Sequence, residues 1–218
     1  MAGKDDREYF DSLAQTVIDG YVDRCLELVR QGLREGRDPL DILEKGLAKG
    51  IKQVGDDFGA GNIFLPELVC GADVMKQGLS LLDEKIRAQG KERKSLGRIV
   101  IGTVKGDIHD IGKSVVAGVL QANGFDVIDM GVEVDAETFV AAFKEHKADC
   151  IAMSSLLTLT IREMGSVIDM LKGAGLRGQA KVMVGGAPIT QEFADEIGAD
   201  AYGRDAMEAV TKAKALLA

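Results

Sequence analysis

Apolar residues recur every three to four positions through the first 90 residues of the chain and then change rhythm. In REYFDSLAQTVIDG, Phe10, Leu13, Val17 and Ile18 share one helical face; in YVDRCLELVRQGL, Val22, Cys25, Leu26, Val29 and Leu33 do the same. Gly36 ends the second run. The third, DPLDILEKGLAKGIKQVGDDF, opens on Asp38 as an N-cap with Pro39 at the first helical position, and its stripe is Leu43, Leu47, Ile51, Val54 and Phe58. GAGN breaks the pattern, and FLPELVCGADVMKQGLSLLDEKI resumes it with Leu68, Val69, Ala72, Met75, Leu79 and Leu82. Four amphipathic helices with short connections predict a helical bundle over residues 1–90. A polar run, RAQGKERKSLG, follows, and residues 91–97 within it are assigned as a linker.

From residue 98 onward, short β-branched runs alternate with helical stretches. RIVIGTV, DVIDMG, DCIAMSS, AKVMVGG and the weaker DAYG read as strands. Helices are expected near 111–123, 135–146, 159–174, 190–196 and 205–217. Five strand–helix units in succession predict a parallel sheet covered on both faces, over 98–218. The expected class is therefore α/β: an N-terminal four-helix bundle cap, then a flavodoxin- or Rossmann-like five-stranded parallel sheet. Such open sheets take their ligands beyond the carboxyl ends of the strands.

Composition narrows the function classes. A net charge of −8 disfavours a nucleic-acid partner, whose phosphates demand a basic face. Aromatics are few and Trp is absent, so platforms for stacking bases are not expected either. No segment carries the roughly 18 uninterrupted apolar residues of a membrane span, and MAGKDDREYF lacks the apolar stretch of a signal peptide. Cys25, Cys70 and Cys150 are odd in number and far apart, which suggests neither a disulfide framework nor a zinc site and fits a reducing cytoplasm.

The chain has only two histidines. His146 sits in the charged stretch KEHKAD and is expected to face solvent. His109 lies in KGDIHDIGKS, residues 105–114, directly after the first strand. On the residues alone, Asp107 two positions before it could orient a base, support a metal ligand, or cap the following helix. Neither GxGxxG nor GxxxxGK[ST] is present, and no nucleophile elbow appears. One histidine oriented by one carboxylate does suit the axial position of a metal already held by a macrocycle, since the macrocycle supplies the other nitrogens.

DIHDIG at 107–112 resembles the DxHxxG signature of cobalamin-binding domains that hold the cofactor with its benzimidazole displaced. The companion signatures follow in order: SxL as Ser154-Ser155-Leu156 at the end of the third strand, and GG as Gly185-Gly186 at the end of the fourth. Residues 54–82 are similar to the helical cap that precedes this domain in methionine synthase and in corrinoid proteins of anaerobic methyltransferase systems. The resemblance covers nearly the whole chain, and its closest match is a corrinoid methyl carrier. It implies cobalamin or a related corrinoid, cycling between methyl-Co(III) and Co(I), with His109 as axial ligand to cobalt and Asp107 accepting its other ring N–H. Thr160, six residues after Ser154, stands where the family completes this relay with a hydroxyl. Ser154, Leu156 and Thr158 would hold the displaced nucleotide tail, with Ser155 a variable position. Gly106, Gly112, Gly185, Gly186 and Gly203 would line its path. Phe64, Leu65 and Val69 would shield the methyl group, although each also suits an ordinary bundle core.

The partners implied are a substrate-specific methyltransferase, an acceptor methyltransferase and a reductive activase, with neither nucleic acid nor membrane. Methylamines, betaines, methanol and methoxylated aromatics are all donors of this type. Three other readings share parts of the pattern: the cobalamin subunit of an adenosylcobalamin-dependent mutase, a cobalamin-sensing regulator without its DNA-binding domain, and a flavodoxin-like domain without corrin.

Overall fold

The computed structural model describes residues 5–89 and 95–217; residues 91–94 of the expected linker lie outside them. The chain forms two compact units, one helical and one α/β. The helical unit holds α1 (Asp5–Ile18), α2 (Val22–Arg34), α3 (Pro39–Asp41), α4 (Ala48–Gly59) and α5 (Leu65–Ala88). Asp38 caps α3, its carboxylate accepting from the Leu40 N–H at 2.9 Å, with Pro39 in the first turn.

The third apolar run is not a uniform α-helix. Between α3 and α4 the chain takes a π-helical course over Ile42–Leu47. Ile42, Leu43, Gly46 and Leu47 are all buried along it. Leu13, Val17, Cys25, Val29, Ile42, Leu47, Ile51, Leu68 and Leu82 form the buried interior of this unit. One member of the expected stripes, Val69, is exposed, and several at the stripe edges, Phe58 and Phe10 among them, are only half-buried. In α5 the buried apolar side chains include Leu68, Ala72, Val74, Leu82 and Ile86.

The α/β unit contains β1 (Arg98–Thr103), α6 (Ile111–Ala122), β2 (Asp126–Asp129), α7 (Ala136–Glu145), β3 (Cys150–Ser154), α8 (Arg162–Gly173), β4 (Lys181–Gly185), α9 (Gln191–Ile197), β5 (Ala201–Gly203) and α10 (Ala206–Leu217). The five strands are parallel, in the order β2-β1-β3-β4-β5. All five expected strands and helices are present; residues 159–161, expected to be helical, instead form a turn before α8. In β1 and β3 the residues facing either side are buried, as strands covered on both faces require. The order places the chain's reversal between β1 and β3, so the segments leaving their carboxyl ends diverge and open a crevice.

One face of the sheet is fully packed. Val100, Val104, Ile151, Met153, Val182 and Val184 meet Phe139, Val140 and Phe143 of α7 and Met164, Ile168 and Leu171 of α8. Phe139 is completely buried, and its ring occupies the space a side chain on Gly102 would need: a Cβ there would lie 2.9 Å from Phe139 Cζ.

Two substitutions test that fit. Phe139→Ala should lower unfolding free energy by about 3–5 kcal/mol, a transfer loss plus a cavity. Gly102→Ala should cost about 1–3 kcal/mol by overpacking against the same ring. Urea titrations followed by far-UV circular dichroism would measure both; a loss below 1 kcal/mol for Phe139→Ala would show that the ring is not a keystone of this face.

Candidate functional site

The segment after β1 is held by its own backbone before any side chain acts. Thr103 is fully buried, and its hydroxyl donates to the His109 carbonyl at 2.9 Å. The Asp107 N–H donates to Val104 O at 3.2 Å, and the Glu133 N–H donates to the Asp107 carbonyl at 3.1 Å. The result is a compact loop from Lys105 to Asp110 whose one buried side chain is Asp107.

Asp107 is completely buried. Its Oδ1 accepts from the His109 backbone N–H at 3.0 Å and lies 2.7 Å from His109 Nδ1. Its Oδ2 accepts from the Leu156 N–H at 2.7 Å and the Leu157 N–H at 3.2 Å, with Ser155 Oγ at 3.2 Å and Thr160 Oγ1 at 3.4 Å. Burial alone pushes this carboxyl up. The His109 and Leu156 backbone N–H groups, the His109 ring and the Ser155 hydroxyl outweigh it and hold the group well below the usual carboxylate range. An ionised carboxylate has no hydrogen to give, so His109 Nδ1 must carry the one between them. In the neutral ring this leaves Nε2 bare, with its lone pair available, on a side chain 47% exposed.

Beside His109 lies a cavity of about 670 Å³ within the α/β unit. It runs over the second face of the sheet, between α6 and α10, and reaches from Ile108 and His109 to Gly203 and Arg204. Ile101, Ala152 and Met183 form its floor, with Val115, Val116 and Ala209 as walls. Gly112, Ser154, Leu156, Gly185, Gly186 and Gly203 all line it. Gly186 has φ +134°, and a Cβ on it would fall 1.8 Å from the Ser155 carbonyl oxygen, so only glycine passes here. Gly106 takes φ +81° with Thr160 Cγ2 next to it and does not line the cavity.

Several residues lie elsewhere than the sequence suggested. Thr158 is exposed and does not line the cavity, because it lies in the turn that carries Thr160 back to Asp107. His146 is half-buried rather than solvent-facing: it ends α7, and its carbonyl accepts from Arg98 at the opposite end of the sheet from His109. On the helical unit, Phe64 is 74% exposed and Val69 43% exposed, so neither serves as bundle core, while Leu65 is half-buried.

Two features escaped the sequence. Ser155, the middle residue of SSL, is fully buried, with Oγ 2.8 Å from Thr160 Oγ1 and 3.2 Å from Asp107 Oδ2. Strands buried on both faces give no alternation from which its direction could be read. Lys113 is likewise buried, with Nζ 2.6 Å from Asp129 Oδ1, and it lines the cavity. A lysine in the first turn of a helix ordinarily reads as surface.

Among the described residues, no cluster of three or more His, Cys, Asp or Glu side chains could hold a metal ion. A metal at His109 must therefore bring most of its ligands with it. The residues fit such a group: one imidazole with a fixed tautomer, an adjoining apolar slot with glycine at its back, and large exposed apolar side chains at Ile108, Ile111 and Leu156 lining it. No helix among the described residues is long and apolar enough to cross a membrane.

Comparison with known proteins bears on the same residues. A B12 binding domain model matches residues 97–211, and a second B12 binding domain model matches residues 9–83. The chain is 46% identical over 217 residues to dimethylamine corrinoid protein 2 of Methanosarcina acetivorans, covering 100% of this chain and 99% of that one. It is 42% identical over 217 residues to trimethylamine corrinoid protein 1 of Methanosarcina mazei, covering 100% of both. Among solved structures, the methanol:cobalamin methyltransferase complex MtaBC from Methanosarcina barkeri matches with a TM-score of 0.86 at 31% identity, over 96% of this chain and 80% of that one. The Methanosarcina barkeri monomethylamine corrinoid protein matches with a TM-score of 0.54 at 35% identity, over 97% and 99% of the two chains.

The Asp107 geometry predicts a pH-dependent stability. Because the folded carboxyl sits below its unfolded value, its contribution is complete above about pH 4 and is lost as pH falls through the folded value. Asp107→Asn should therefore cost on the order of 2 kcal/mol at neutral pH, a gap that narrows from about pH 4 downward. Urea midpoints of both proteins at neutral and acid pH would show it; a gap that does not change with pH would contradict the assignment of the charge to the network.

Proposed function

The chain belongs to the B12-binding corrinoid proteins, and on that premise we propose that it carries a methyl group on corrinoid cobalt from a substrate-specific methyltransferase to an acceptor methyltransferase. The observation that carries this is the Asp107 carboxylate fixing His109 Nδ1–H and leaving Nε2 bare beside the cavity. A bound corrinoid supplies a cobalt-held methyl group that a nucleophile can take.

The protein's own residues then have distinct tasks. His109 would hold the cobalt through Nε2, and Asp107 would keep the imidazole in the ligating tautomer and raise its basicity. The slot behind it receives the displaced nucleotide tail, where Ser154 offers a hydroxyl and Gly185, Gly186 and Gly203 keep the walls low. Ile108, Ile111 and Leu156 give the macrocycle an apolar bed, which accounts for large apolar side chains left in contact with water. Phe64, Val69 and half-buried Leu65 are assigned to shielding the methyl group.

The donor is proposed to be a methylated amine, because the full-length relatives named above are dimethylamine and trimethylamine corrinoid proteins. A reductive activase is the third partner this role implies. In this reading the protein is a substrate passed between enzymes, and His109 and Asp107 serve to hold the cofactor.

Axial ligation is tested in the cobalt(II) form. Labelling histidine alone with nitrogen-15 should convert each three-line nitrogen splitting in the electron paramagnetic resonance spectrum into two lines, and His109→Ala should abolish it. An unchanged pattern would exclude histidine as the ligand.

The carrier role has its own test. The methylated protein should lose its methyl group negligibly to a thiol alone and rapidly once a cognate acceptor methyltransferase is added, followed by absorbance. Offered with a methylamine, a betaine, a methanol and a methoxy-aromatic methyltransferase, it should be methylated fastest by the amine enzyme. Equal turnover with and without partners would make it an enzyme; a faster methanol enzyme would overturn the amine assignment.

A further inference from the structure

We propose that Ser155 is the hydroxyl that positions Asp107 against His109, and that Thr160 acts only through Ser155. This deepens the reading of His109 given above, but the contact belongs to the protein alone. Each hydroxyl has one hydrogen to give. Ser155 Oγ and Thr160 Oγ1 lie 2.8 Å apart, so one of them spends its hydrogen on the other. If Ser155 donated, Asp107 would be left with Thr160 at 3.4 Å, and Thr160 has the Leu157 carbonyl closer, at 3.0 Å. If Thr160 donates, Ser155 is free to choose between the ionised Asp107 at 3.2 Å and the neutral Leu157 carbonyl at 3.3 Å. The charged acceptor wins, since a hydrogen bond to an ion is about twice as strong as one between neutral groups. The order is therefore Thr160 to Ser155 to Asp107 Oδ2.

The main chain supports this order. The Ser155 N–H donates to Gly185 O at 3.2 Å, and the Ser155 carbonyl backs onto Gly186 with no room for a Cβ between them. Ser155 is thus clamped from the β4 end and fully buried, so no water competes for its hydroxyl. Thr160 is partly exposed, in the turn that leads into α8. Ser155 draws negative charge toward Oδ2 and so moderates the pull of Oδ1 on His109 Nδ1–H. Ser155 is a positioning residue: it sets how strong a donor the His109 Nε2 atom is.

The test uses the apoprotein with nitrogen-15 histidine, by NMR at one alkaline pH where imidazole is neutral. Ser155→Ala should move the His109 Nδ1 resonance and its proton downfield, as the unmoderated carboxylate pulls harder. Thr160→Val should move them several-fold less, because Ser155 still donates. His146, at the far end of the sheet, serves as the internal control and should not move. Should Ser155→Ala fail to fold, Ser155→Cys keeps the volume with a weak donor and should still exceed Thr160→Val. A larger shift in Thr160→Val, or no shift in a well-folded Ser155→Ala, overturns the proposal. The measurement needs no corrinoid, so a failure to bind one would count against the proposed function and leave this order still decided.

Discussion

A carboxylate sealed from water is the constraint on which the site depends. Removing an ion from solvent costs several kcal/mol even after the protein relaxes. Asp107 is completely buried, and five donor groups converge on it, with the Thr160 hydroxyl behind Ser155. They come from two segments, 107–109 after β1 and 155–160 after β3, which leave the sheet at its point of divergence. Satisfying the charge therefore draws the two loops together and fixes the imidazole in the same step. A histidine supported by one contact could swing; this one is tied at its ring, its N–H and, through Thr103, its carbonyl.

The sheet treats its two faces differently. Beneath α7 and α8 the packing is tight enough that β1 needs glycine at position 102. Between α6 and α10, small residues such as Ala152, Ala209 and Gly203 leave about 670 Å³ unfilled. A sealed void of that size would cost on the order of 16 kcal/mol at about 24 cal/mol per Å³, more than a domain's whole stability. The space can exist only as a cleft open to solvent or ligand. Stability is concentrated on one face, so that the other can be kept for binding.

How legible this was varies with the physics behind each signal. Helices and strands were readable because burial imposes a period, and the five strands and Asp38's cap stand where the pattern put them. The π-helical turn at Ile42–Leu47 was not, since Leu43, Leu47, Ile51 and Val54 stay buried through it and nothing in the apolar pattern marks it. DIHDIG, SSL and GG are local strings and could be read directly, whereas the burial of Ser155 and Lys113 depends on which neighbours approach. Thr158 and Thr160 show the limit most clearly. Two threonines two residues apart have equal chemistry on paper; the turn before α8 sends one to Asp107 and leaves the other in water.

The small number of ligating groups is itself informative. A protein that binds a bare metal ion must supply three or four side chains and hold them in geometry. Here one imidazole stands with a fixed tautomer, and no such cluster accompanies it among the described residues. That arrangement suits a metal whose other ligands travel with it, and it leaves the protein one adjustable quantity, the basicity of a single nitrogen. Tuning by hydrogen bonds two and three atoms removed, through Asp107 to Ser155 and Thr160, changes donor strength without moving the ring.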